Sequence, residues 1–170
     1  MRFVRSREEV AFRSILFQQK KSAMQWKLLD TSESTQKTYA IIMESGDEVM
    51  EVLTEFARSQ GLSTSQFTAI GAFSDAELGY FDFTIKDYRK NSVDEQTEVL
   101  SLAGDITLDK GTQKVHAHVV LGFSDASTRG GHLLHGHVSP TLEIMLTESP
   151  VYLKRAYDAA SGLALISLSA

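Results

Sequence analysis

The chain has 170 residues, enough for one domain with a sizeable core, and its 42% hydrophobic and 23% charged residues are those of an ordinary folded protein rather than a disordered one. A formal net charge of −5 and a pI near 5.5 argue against a surface built to grip nucleic-acid phosphates, which takes a basic patch or stripe. With no cysteine, disulfides and thiolate metal sites are excluded, so a metal would have to be held by histidine, carboxylate, carbonyl or water.

Residues 1–23 stand apart. Arg2, Arg5, Arg7, Arg13, Lys20 and Lys21 make them basic, and they are read as a flexible tail in preference to a helix capped by Ser6. Domain-like sequence starts at Met24 with M-Q-W-K-L-L-D, and residues 24–170 are expected to form the domain. Residues 1–30 lack a continuous apolar stretch of signal-peptide type, and no run of roughly 18 apolar residues suits a membrane helix, so a cytoplasmic location is expected.

Residues 38–44 (T-Y-A-I-I-M-E) predict a buried strand. Ser45 and Glu48 occupy the reciprocal positions of a capping box, which predicts a helix over about 46–60. Val49, Leu53, Phe56 and Ala57 fall on its buried face, and Gly61 stops it. Beyond it the pattern is β-rich. Residues 66–73, 76–83, 97–103, 114–121, 138–147 and 163–168 read as strands, with Gly71, Gly79 and Gly104 marking bulges or close backbone approach. Residues 88–95 read as a polar turn, and 150–158 as a short helix or a strand with a turn. The fold class expected is α/β (α+β), a compact domain with a mostly antiparallel mixed sheet and one main helix.

All five histidines fall between positions 116 and 137, and imidazole is the commonest metal ligand in proteins. Alternate residues of a strand share a face, so His116 and His118 project together, roughly 6–7 Å apart at their Cα atoms. Gly130-Gly131 is expected to turn the chain back tightly after a loop at 124–129 and deliver His132 as a third ligand. Three histidines with an open fourth position suit an exchangeable or catalytic divalent ion, zinc above all. Without a metal, the same H-x-H would be a polar pair on a sheet face or at a subunit interface. His135 and His137 are read as bystanders. Glu143, a charge inside the apolar run T-L-E-I-M-L, is read as an acceptor for a histidine N–H, a fourth ligand or a general base, or else as the solvent side of an amphipathic strand. Asp105 and Glu98 read as edge or turn residues and Arg129 as a solvated arginine. Nucleophile-elbow, P-loop and H-E-x-x-H patterns are absent.

An ordered series of short motifs runs through the body: G-D-E-V (46–49), F-T-A-I-G-A-F (67–73), A-E-L-G-Y-F-D (76–82), E-V-L-S-L-A-G-D-I (98–106), H-A-H-V-V-L (116–121), G-G-H-L (130–133) and T-L-E-I (141–144). The series resembles the "plants and prokaryotes conserved" (PPC, DUF296) domain family in its stand-alone prokaryotic type, over roughly residues 26–168. The resemblance implies a compact antiparallel-rich domain, a homotrimer, and a metal held by the H-x-H and G-G-H histidines, here His116, His118 and His132. Plant members join the domain to R-G-R-P hooks that enter the DNA minor groove, a motif this chain lacks. The function expected is a trimeric binding or scaffold protein with a histidine metal site, DNA or regulatory proteins being the partners the family label suggests. The alternative is a metal-dependent enzyme acting on a small polar substrate through a metal-bound water, with Glu143 as base. A plain structural oligomer with an empty histidine site is the third reading.

Overall fold

Alternation along K-T-Y-A-I-I-M-E turns Tyr39, Ile41 and Met43 inward, and Lys37–Glu44 is accordingly a strand. In the computed structural model, which describes residues 24–28 and 36–168, this strand is β2 and pairs antiparallel with β1 (Gln25–Leu28). The helix α1 (Val49–Gln60) follows. Then come β3 (Thr64–Asp82), β4 (Asp87–Val93), β5 (Thr97–Asp109), β6 (Thr112–Gly122), β7 (Thr128–Glu148), β8 (Lys154–Asp158) and β9 (Leu163–Ser167). The basic tail expected at 1–23 lies outside the described residues.

The strands form one sheet in the order β1-β2-β7-β3-β5-β8-β9, with β4 on β3 and β6 on both β5 and β7. Because β3 pairs β5, β5 pairs β6, β6 pairs β7 and β7 pairs β3, these four close into a circuit, antiparallel throughout. Closure leaves these four strands paired on both sides over much of their length and encloses a core in which Phe73, Leu102, Leu121, Leu133 and Leu142 are fully buried. Val49, Leu53, Phe56 and Ala57 of α1 join that core, as the helical period predicts. Trp26, Tyr39 and Phe56 meet edge to face, with centroids 5.4–5.9 Å apart, and tie β1 and α1 to β2.

Among the described residues the balance is mostly sheet with one helix, not an even α/β mixture. Segments that read as separate strands are continuous: β3 runs through 74–75, and β7 runs through Gly130-Gly131 to Glu148. Residues 88–95, read as a turn, lie largely in β4; their polarity reflects an edge strand with Val93 as its buried residue. Residues 154–158 are a strand too, β8.

The helix starts at Val49, later than expected, and Glu48 is itself the N-cap, its carboxylate accepting from the Glu51 N–H at 2.7 Å. Ser45 does not cap. Its hydroxyl donates to the Pro140 carbonyl at 3.2 Å, because Gly46 N–H and Asp47 C=O are bound to Val138 and hold the turn on β7. Gly61, at φ 65°, ends the helix as predicted.

Gly71 shows how tightly the circuit closes. A β-carbon there would collide with the Thr141 carbonyl of β7, at a point where the β3–β5 register also shifts. Gly71→Ala is expected to cost about 1–3 kcal/mol, read as a lower urea midpoint at unchanged m-value.

Candidate metal centre

Two hairpins place the histidines. Asp109 and Thr112 flank Lys110 (φ 50°) and Gly111 (φ 80°), a two-residue turn with both central residues left-handed, as tight hairpins require. That turn fixes the β5–β6 register, setting Asp105 opposite His116 and Ala103 opposite His118. The second hairpin turns at Phe123–Ser127, where Phe123 N–H reaches the Ser127 carbonyl at 2.9 Å, and it sets His118 opposite His132. His132 therefore arrives by strand pairing. Gly130-Gly131 makes no turn; the pair lies inside β7, where a β-carbon on Gly130 would press on the Val119 carbonyl and one on Gly131 on the Gly79 carbonyl.

The three rings make a nearly equilateral triangle, with centroids 5.1, 5.2 and 5.4 Å apart. One nitrogen from each lies within 4.8 Å of the others. A shared zinc at 2.0–2.1 Å would bring these nitrogens to about 3.3–3.4 Å from one another. His132 Nδ1 is buried and has no hydrogen-bond partner among the described residues. Such an orphaned polar atom costs free energy in a folded protein unless something satisfies it. The donor set thus suits an ion.

Burial and neighbouring charge disfavour protonation of two of the three rings. Burial, followed by the charges of His116, His118 and Lys114, pushes His132 down to about 4. Burial and His116 lower His118 as well. One face of His132 is stacked on Tyr88 at 4.7 Å. Gly79 allows this, since a β-carbon there would come within 2.6 Å of the Tyr88 ring.

A further carboxylate is built into the centre. Asp105 Oδ2 sits 3.1 Å from His116 Nδ1, while Oδ1 accepts from Arg155 at 2.5 Å. Arg155 also donates to Thr107 Oγ1 at 2.7 Å and to the Ala164 carbonyl at 3.0 Å. Burial alone would raise the Asp105 carboxyl, but His116 and Arg155 outweigh it and hold the group below its ordinary value. This carboxylate–imidazole contact would orient the His116 ring and fix which of its nitrogens could face an ion. Reading Asp105 as an edge residue missed it; the turn signal D-K-G-T at 109–112 would have given the pairing.

Glu143 lies elsewhere. It is exposed on the C-terminal half of β7, between Ile42 of β2 and Ile70 of β3, on the solvent side of an amphipathic strand. Arg129, also exposed, has its guanidinium 4.6 Å over the Phe123 ring. His135 and His137, read as bystanders, stand together with Asp75.

The His132 shift has a measurable consequence. Between about pH 6.5 and 4 the unfolded chain takes up a proton at His132 that the folded chain refuses, so metal-free protein loses stability as pH falls through this window. Thermal melts of chelator-treated wild type and His132→Gln should show a steeper fall in Tm for the wild type between pH 6.5 and 4; parallel curves would contradict it.

The sequence pattern of the Plants and Prokaryotes Conserved (PCC) domain matches residues 30–150. A plant- and prokaryote-conserved (PPC) protein from Pyrococcus horikoshii superposes with a TM-score of 0.73 at 30% identity, over 84% of this chain and 94% of its own. A metal-containing protein from Archaeoglobus fulgidus gives 0.72 at 28% identity, over 85% and 97%. A candidate DNA-binding protein from Bacteroides thetaiotaomicron gives 0.80 over 86% and 99%; at 23% identity that likeness is one of fold. No curated protein matches the sequence.

Proposed function

We propose that this chain, which belongs to the Plants and Prokaryotes Conserved (PCC) domain family, is a self-associating binding module that holds a divalent ion, zinc above all, between His116, His118 and His132. The observation that carries this reading is a triangle of imidazoles with one nitrogen of each within 4.8 Å of the others, one of the rings, His132, having a buried Nδ1 without a partner among the described residues. The metal-containing relative from Archaeoglobus fulgidus, 28% identical, supports it. An ion here would supply a fixed positive charge and a Lewis acid at the mouth of the β6–β7 hairpin. The chain's own residues orient the ligands: Asp105 holds His116, and Tyr88 covers a face of His132. A binding role is favoured over catalysis because Asp105 is committed to His116 and Arg155, and Glu143 stands away from the histidines. Untagged protein is expected to carry stoichiometric metal by mass spectrometry. Metal-free preparations whose melting does not respond to added zinc would overturn the assignment.

Self-association, a homotrimer as the resemblance implies, is supported by an apolar stripe on the sheet's outer face. Ile42 and Ile70 flank Glu143 in register, and Leu100 lies at the β5 irregularity beside Ile70. Ile70 is 61% and Leu100 52% exposed, large for side chains that would otherwise face water. Light scattering should give a trimer mass for the wild type and a smaller species for Ile70→Lys; a monomeric wild type at micromolar concentration contradicts this. DNA is a partner in this reading only through residues 1–23, which hold six of the 17 Lys and Arg and leave the rest of the chain more acidic. Binding that is absent even at low salt removes DNA from the proposal.

A further inference from the structure

We propose that Asp75, His135 and His137 form a second divalent-metal site, apart from the three-histidine centre, binding a first-row transition ion through two imidazole nitrogens and a carboxylate oxygen. Its origin is a bulge. Leu78 pairs with Leu133 and Glu77 with His135, so Leu134 is an extra residue on β7. The bulge reverses the alternation of the strand. Leu133, Gly136 and Val138 are buried, while His132, His135 and His137 all stay out of the core. Without it, His135 would follow Leu133 inward. Asp75 of β3 is the register partner of His137.

The segment carrying the two imidazoles is held from several sides. Gly136 N–H donates to Glu48 Oε1 at 3.0 Å, and two residues on, Val138 N–H donates to the Asp47 carbonyl at 3.0 Å. A β-carbon on Gly136 would come within 2.9 Å of the Phe73 ring, so the backbone lies against the core with no slack. Ligands projecting from such a segment are positioned before an ion arrives.

The donors are available and reachable. One nitrogen of each histidine and one Asp75 oxygen lie within 4.8 Å of one another. His135 Nδ1 is buried with no hydrogen-bond partner among the described residues, the same signature as His132. His137 Nδ1 and Asp75 Oδ1 are 2.7 Å apart, and both side chains remain open to solvent, at 43% and 38%. A cation takes the place of the proton they share. The adjoining groove is lined by Glu48, Glu51 and Glu55 against the single cation Arg58, a net negative field that favours metal entry. Two imidazoles and one carboxylate leave coordination positions for water or an exchangeable ligand, the pattern of an open site.

Calorimetric zinc titration of wild type, His118→Ala/His132→Ala and His135→Ala/His137→Ala tests this separately from the three-histidine centre. Two ions per chain are expected for the wild type and one for each double variant. Asp75→Asn, which keeps the side-chain shape, is expected to weaken the second ion about tenfold or more and leave the first unchanged. A wild type that binds one ion, lost in His118→Ala/His132→Ala, overturns the second site and keeps the first. One ion that survives that variant but is lost in His135→Ala/His137→Ala does the reverse. Unchanged zinc affinity in a folded Asp75→Asn variant also overturns the second site.

Discussion

Replacing His132 with phenylalanine is expected to remove the ion from the three-histidine centre while making the metal-free protein more stable. Losing a residue that merely orients a ligand costs about 10–100-fold in metal affinity, so losing one of three ligands should cost at least about a hundredfold. Stability moves the other way. The imidazole carries a buried Nδ1 with no partner among the described residues, and removing such an atom returns about 1–2 kcal/mol. Phenylalanine keeps an aromatic ring against Tyr88, so the stacking is largely retained. Chelator-treated His132→Phe should therefore melt above chelator-treated wild type, and zinc should raise the Tm of the wild type by more than that of the variant, which keeps at most the second site. A variant less stable than metal-free wild type would mean that the histidine is satisfied in the folded protein, which removes the main argument for an ion.

The histidine set was legible in the sequence because strand periodicity is strict. H-A-H on a strand has one geometry, and no tertiary contact was needed to place His116 beside His118. His132 does stand beside that pair, but not by the route its neighbours suggested. G-G reads as a turn when its neighbours are unknown, but here it lets β3 and β6 crowd β7 from both sides, and only the pairing shows this. The grouping of His135 and His137 with Asp75 was hidden for a related reason. The bulge at Leu134 has no sequence signature of its own; it appears only when β7 is laid against β3. Asp75 is farther still, since its partner His137 lies 62 residues away.

Local chemistry was read better where it competes with nothing. Gly61 ends α1 because only backbone sterics decide there. Ser45 failed as a cap because tertiary bonds from Gly46 and Asp47 to Val138 hold the preceding turn, leaving Glu48 both to cap α1 and to bind Gly136. Glu48 thereby joins the helix start to the strand that carries His135 and His137. The polar strand β4 shows the same limit: its hydrogen bonds come from β3, and its composition alone resembles a loop.

Asp105→Ala should be the most destabilising single change near the centre, because it breaks two arrangements at once. Arg155 is 8% exposed and keeps only Thr107 and the Ala164 carbonyl when the carboxylate is gone. Stranding a charge in that position costs about 3–5 kcal/mol, toward the lower end here because Asp105 itself is 28% exposed and water can enter. The loss should be local first. Arg155 belongs to β8, whose link to the circuit is a short parallel pairing with β5, so amide exchange should quicken in β8 and β9 before β3 or β7. In parallel His116 loses its acceptor, and zinc affinity should fall about 10–100-fold. The two effects separate in a second variant. Asp105→Ala/Arg155→Met removes the stranded charge and should regain most of the stability without regaining affinity. If both recover together, Asp105 acts on the ion only by holding the fold; if affinity stays low in a restored fold, the carboxylate orients the His116 ring for the metal.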